Sequence, residues 1–195
     1  MPSPDPSLSA LLCRIRACRL CAAHLPLPPR PIVQAGAHAR ILIAGQAPGL
    51  KVQQSGVPFD DASGERLRGW LGLDRDTFYD ASRVAIAPMG FCYPGKRGSG
   101  DAPPRPECAP AWREALLAKL PEIRLTLVVG QYATRWHLGQ TLTLTEAATR
   151  WREFAPSRFV LPHPSPRNRP WLAAHPWFEA EVIPALQAAV RAALA

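Results

Sequence analysis

No stretch of this sequence approaches the ~20 consecutive apolar residues that a membrane-crossing helix needs. The opening Met1-Pro2-Ser3-Pro4-Asp5-Pro6 lacks the basic n-region of a secretory signal. Both absences count against a membrane or secreted protein and lead to the expectation of a cytoplasmic one. No internal repeat is visible either, which argues against solenoid and propeller architectures. Acidic residues are scarce: 15 Asp and Glu face 23 Lys and Arg, leaving a net charge of +8. A basic excess of that size suits a polyanionic partner such as nucleic acid, because Lys and Arg displace counterions from phosphates. An arginine-rich composition would give the same balance without such a partner.

What is present fits one globular unit spanning residues 1–195, since 47% apolar residues in a chain of this length can build a sizeable core. The 23 prolines cluster in Pro26–Pro31, Pro103–Pro106 and Pro162–Pro170, so regular elements are expected between them. Four short apolar runs read as buried strands: 39–44, 84–87, 125–129 and 159–161. Helical patterns lie at 63–71, 110–119, 132–138, 145–154 and 177–194. Strands alternating with helices predict an α/β protein with a parallel sheet covered on both faces, whose ligands sit beyond the carboxyl ends of the strands. That rule singles out Gly45-Gln46-Ala47-Pro48-Gly49, Met89-Gly90-Phe91-Cys92 and His163-Pro164-Ser165-Pro166-Arg167-Asn168.

In a reducing compartment the five cysteines are first candidates for metal or redox chemistry. Cys18 and Cys21 form a C-x2-C pair, whose spacing lets both sulfurs point inward from one turn. Cys92 and Cys108 are separated by fifteen residues of Gly- and Pro-rich chain, and Cys13 is left over. Buried or incidental thiols are the plainer alternative. A thioredoxin-like role fits poorly, because the C-x2-C precedes the first strand.

Taken in order, Cys18/Cys21, Gly45 to Gly49, Gly56-Val57-Pro58-Phe59, Cys92/Cys108 and His163-Pro164 resemble the motifs of the iron–sulfur uracil-DNA glycosylases of families 4 and 5. The likeness covers almost the whole chain. Asp61-Ala62-Ser63-Gly64 looks like the aspartate-containing segment of family 5, and His163 to Asn168 is similar to the motif of single-strand-selective uracil glycosylases. The resemblance implies a three-layer α/β/α sandwich on a four-stranded parallel sheet. It further implies a [4Fe-4S] cluster on Cys18, Cys21, Cys92 and Cys108, with zinc as the alternative. The implied partner is DNA containing uracil or deaminated bases, met by a monomer. Two departures stand out. Pro88 occupies the place where iron–sulfur relatives carry an asparagine that reads the uracil edge, and Ala47 the place where strong uracil glycosylases carry an aspartate.

Cleaving an N-glycosidic bond needs a flipped base held in a pocket, stabilisation of the anionic leaving base, and water beside an oxocarbenium-like sugar. Phe59 could stack on the base, worth about 1–3 kcal/mol, or be a core residue. His163 could donate to a base carbonyl, its loss costing roughly 10²–10³ in rate. Gly45 and Gln46, the latter counted with His163 and Asp61 as catalytic, could offer backbone amides to the base or form a plain turn, with Ala47, Met89 and Asn168 as further contacts. Asp61, with Asp60 second, would orient water or else cap a helix. Ser165, Arg167 and Arg169 would meet the DNA backbone. The stretch Lys96-Arg97-Gly98-Ser99-Gly100 reads as a flexible phosphate contact or a mere linker. Three functions remain open: a glycosylase, a catalytically weak member that binds uracil- or abasic-site DNA, and a metal-dependent redox protein that leaves His163 idle.

Overall fold

The computed structural model describes residues 7–139 and 141–195. Four parallel strands, β1 (Ile41–Ala44), β2 (Val84–Ile86), β5 (Leu125–Val129) and β6 (Arg158–Leu161), form one sheet in the order β2-β1-β5-β6. A separate antiparallel hairpin joins β3 (Lys96–Arg97) to β4 (Gly100–Asp101). The two central strands are almost uninterrupted apolar runs, as burial on both faces requires. Ile41 pairs with Leu125 and Ile43 with Leu127, so both strands send alternate residues to the same face.

That alternation separates the core. Ile41, Ile43, Leu125, Leu127 and Phe159 pack with Leu67 and Trp70 of α3 (Ala62–Leu71) and with Leu186 and Val190 of α10 (Ile183–Leu194). On the opposite face Leu42 and Ala85 meet Leu11 and Ile15 of α1 (Leu8–Arg16) and Leu116 of α5 (Cys108–Leu117). Ala44, Val128 and Val160 meet Ala133 of α6 (Gln131–Leu138) and Ala147 of α7 (Leu144–Thr149). The result is the expected α/β/α layering. The outer edge of β2 is closed by Gln34, whose backbone exchanges two hydrogen bonds with Ile86, at 3.0 and 2.7 Å.

Several local expectations change. The helix expected over 145–154 is two pieces, α7 and α8 (Trp151–Phe154), broken at Arg150. A continuous helix would keep residues 147 and 151 on one face. The break sends Ala147 to one core cluster and Trp151 to another, where its ring stacks on Phe159 at 5.9 Å. The helix expected over 177–194 opens with a π-helical turn, Phe178–Val182, since Pro184 has no N–H for a regular bond to the preceding turn. Shorter helices α2 (Leu50–Ser55), α4 (Arg75–Tyr79) and α9 (Arg169–Ala174) were not foreseen. The stretch 96–100 forms most of the β3–β4 hairpin, turning at Gly98 with φ +59°. Among the described residues no helix is long and apolar enough to cross a membrane.

Candidate active site

A cleft of about 420 Å³ opens at the carboxyl ends of the strands. Its floor is Gly45 to Gly49, the turn that leaves β1 and enters α2. Gly45 and Gln46 are held by backbone bonds from Met89 and Gly90, each at 2.9 Å, which fasten this turn to the segment after β2. The ring of Phe59 stands over Gly45, where an added methyl would lie 3.4 Å from its Cζ, in contact with no room to spare.

Phe59 holds φ +55°, a left-handed conformation costing a non-glycine residue about 1–2 kcal/mol. Gly64 makes the tight turn possible, since a Cβ there would fall 1.8 Å from the Phe59 carbonyl oxygen. The ring packs edge-on against Phe78 at 6.2 Å, which fixes its plane from behind. Strain of this kind concentrates where a site needs one side chain held in place.

His163 lines the same cleft, on the loop after β6. The Ser165 N–H donates to its Nδ1 at 3.2 Å, so the ring proton of the neutral imidazole resides on Nε2. Burial holds the imidazole pKa below the ordinary value, partly offset by the carboxylates of Asp61 and Asp101. The loop is tied down from both sides. Asn168 Nδ2 donates to the His163 carbonyl at 2.7 Å, and Arg66 of α3 reaches the carbonyls of Pro164 and Ser165, each at 3.5 Å. Gly130, with φ +81° after β5, leaves space beside His163: a Cβ there would sit 3.9 Å from the histidine Cβ.

The acids divide by occupation. Asp60 pairs with Arg75 at 3.0 Å and does not line the cleft. Asp61 lines it, while its Oδ1 caps α3 by accepting from Gly64 N–H at 2.9 Å. Asp61 therefore takes the helix-capping role that the sequence offered as the alternative to orienting water, and it lines the cleft as well. Lys51, Lys96 and Arg167 add positive charge to the cleft lining.

Of the candidates named from sequence, the cleft gathers Gly45, Gln46, Ala47, Phe59, Asp61, His163, Ser165 and Arg167, and Pro88 joins them. Gln46 Nε2 also donates to the Ala102 carbonyl at 3.3 Å, tying the β1 turn to the hairpin. Three candidates lie elsewhere. Met89 is buried among Ala44, Val128 and Val160, because its backbone bond to Gly45 turns its side chain into the core. Asn168 braces the loop instead of facing the cleft, and Arg169 begins α9, exposed and outside the lining. Ser63, Lys51, Arg66 and Asp101 were missed. For Asp101 a signal existed, since Lys96-Arg97-Gly98-Ser99-Gly100-Asp101 carries the two-residue Gly-Ser turn of a hairpin.

A second, small cavity lies behind this turn, lined by Cys18, Cys21, Cys92 and Cys108 with Arg19, Arg105 and Trp112. Cys18 follows α1, Cys21 opens a short 3-10 turn, Cys92 follows β2, and Cys108 begins α5. Phe91 N–H points at Cys108 Sγ from 3.4 Å, the geometry that supports a thiolate. Burial pushes the Cys92 thiol up to about 11 and the Cys108 thiol up to about 12, and the neighbouring cysteines add to both. Cys13 is exposed on α1 and takes no part. Among the described residues, no group of three or more His, Cys, Asp or Glu side chains is placed to hold a metal ion. Four cysteines nonetheless border one cavity, and thiols are donors that both zinc and iron–sulfur clusters take.

Arg113 lines neither cavity but joins elements that border both. Arg113 of α5, only 1% exposed, donates from Nη1 to the carbonyls of Ala87 at 2.8 Å and Pro88 at 3.4 Å, and from Nη2 to His137 Nε2 at 2.7 Å. Both Nη groups of this buried guanidinium are met in this way, while its Nε–H has no partner among the described residues. Arg113 thereby connects the helix that begins at Cys108 to the Pro88 edge of the cleft. Compared with known families, the chain matches the model of the Uracil DNA glycosylase superfamily over residues 33–187.

Proposed function

The chain belongs to the Uracil DNA glycosylase superfamily, and from that membership we propose that it hydrolyses the N-glycosidic bond of uracil, or a related deaminated base, in DNA. The observation that carries the reading is His163: a cleft-lining imidazole whose Nδ1 is occupied by the Ser165 amide, leaving Nε2–H as its donor. A base expelled as an anion places charge on its carbonyl oxygen, and a fixed donor there stabilises the transition state more than the ground state. Phe59 supplies a strained, pre-oriented face for the flipped base. Asp61 adds negative charge to the cleft lining, and Lys51, Lys96 and Arg167 supply phosphate contacts at the rim.

Cys18, Cys21, Cys92 and Cys108 would hold a [4Fe-4S] cluster, which when bound would contribute folding energy by cross-linking the N-terminal segment to the loop after β2 and to α5. Zinc on the same thiols is the alternative.

A second reading, a DNA-binding member with weak or no catalysis, is favoured by one feature of the cleft. Pro88 and Ala47, both in its lining, offer no side-chain hydrogen bond to a base or a water. The test is release of free base from oligonucleotides carrying uracil, single-stranded or paired with G or A, by protein purified without oxygen. Release that disappears in His163→Ala supports the enzyme. Tight binding with no release supports the second reading.

A further inference from the structure

Within the hydrolytic reading above, on which this assignment depends, we propose that Asp101, carried on the β3–β4 hairpin, is the carboxylate that orients the attacking water and faces the cationic sugar. Three observations converge on it. Asp101 lines the cleft together with His163, although it lies far from both the β1 turn and the His163 loop in sequence. Gly49 leaves a gap between acids: a methyl added there would lie 3.5 Å from Asp101 Oδ2 and 4.0 Å from Asp61 Oδ2. The Asp101 carboxylate has no hydrogen-bond or ion-pair partner among the described residues, whereas Asp61 is engaged by the Gly64 amide and Asp60 by Arg75.

The hairpin is built to hold that position. Asp101 stands across from Lys96 in the ladder, and Ala102 N–H closes the base of the hairpin on the Gly95 carbonyl at 2.8 Å. Gln46 then fastens Ala102 to the β1 turn. A carboxylate with free lone pairs, held against a gap beside the reacting centre, can take a water proton. As the C1′–N bond breaks, its electron pair leaves on the base nitrogen. The water oxygen bonds to C1′, and the water proton passes to Asp101 and then to solvent. His163 meanwhile donates to the base oxygen.

The test uses Asp101→Asn, which preserves size at an exposed position, and Gly49→Ala, whose backbone at φ −79° accepts an alanine. Single-turnover base release is measured on oligonucleotides carrying uracil or hypoxanthine. Binding is measured on oligonucleotides carrying a cationic pyrrolidine or a neutral tetrahydrofuran in place of the nucleoside. Asp101→Asn should lower release about 10²-fold and lose most of a preference of about tenfold or more for the cationic analogue. Gly49→Ala should lower release while keeping that preference, since both charges remain. Release by Asp101→Asn within about threefold of the parent, or transfer of the cation preference to Asp61 alone, would overturn the assignment. A parent chain that prefers the cation through Asp101 yet releases no base would sink the hydrolytic reading and leave Asp101 in place at the sugar.

Discussion

The backbone amide of Ser165 lies 3.2 Å from Nδ1 of His163 and donates to it. Two residues of one loop therefore decide where the imidazole keeps its proton. Burial holds its pKa low, so the ring should remain the neutral Nε2–H tautomer from pH 6.5 upward. Nitrogen chemical shifts of labelled histidine read this directly. A ring that titrates above 6.5, or that carries its proton on Nδ1, would contradict the assignment. His163→Ala should lower base release roughly 10²–10³-fold.

The strained turn at Phe59 can be tested from Gly64, which does not line the cleft. Gly64→Ala would drive a methyl to 1.8 Å from the Phe59 carbonyl, so the turn must open. Loss of more than about 2 kcal/mol of stability is expected, with weakened binding of single-stranded oligonucleotide. Phe59→Gly should behave differently: it removes the strain of φ +55°, which offsets part of the packing lost against Phe78, but loses the base-stacking face outright. Denaturant unfolding and oligonucleotide affinity, measured on both variants, separate strain from stacking.

Much of this was legible in the sequence because it depends on local rules. Apolar runs such as Ile41 to Ala44 declare buried parallel strands, and glycine-rich turns at their ends declare the site. Asp61 read equally well as a cap or a catalytic acid, and one carboxylate turned out to have an oxygen for capping and a place in the cleft. Long-range relations were not legible. Nothing near Arg113 in sequence announces that it meets the carbonyls of Ala87 and Pro88, and nothing near Arg66 announces its reach to the His163 loop. Met89 misled because a residue after a strand can face the cleft or the core, and one backbone bond to Gly45 decided it.

The cysteine cavity predicts a division among the five thiols. Replacing Cys18, Cys21, Cys92 or Cys108 by Ala should abolish the iron and acid-labile sulfide recovered from anaerobically purified protein, and should lower stability. Cys13→Ser, at an exposed helical position, should leave both unchanged. Zinc in place of iron in freshly purified protein would favour the other cofactor on the same thiols.

Arg113 ties the two cavities together, and its removal should be felt at both. Arg113→Met leaves the Ala87 carbonyl and His137 without their donor inside the core. About 3–5 kcal/mol of destabilisation is expected. Arg113→Lys keeps the charge but cannot span both acceptors from one planar head, so it should recover only part of the loss. Urea unfolding of the two variants tests this, and equal stability of parent and Arg113→Met would show that the buried guanidinium contributes nothing.

The same arginine makes the protein acid-sensitive through His137. Burial, then the charges of Arg113 and Arg158, push the His137 imidazole down to about 3. Arg113 donates to its Nε2, so the ring must stay neutral there to accept. Between pH 6.5 and about 3 the unfolded chain holds a proton at this site that the folded chain refuses. The stability it contributes is therefore complete above 6.5 and is lost as pH falls, at about 1.4 kcal/mol per pH unit. His163, also held low by burial, adds to the same slope. His137→Gln offers an acceptor that does not titrate, so its stability should change less steeply between pH 6.5 and 4.5 than that of the parent. Unfolding free energies across that range decide the matter: parallel curves for parent and variant would mean that His137 takes up its proton without loss of the Arg113 contact.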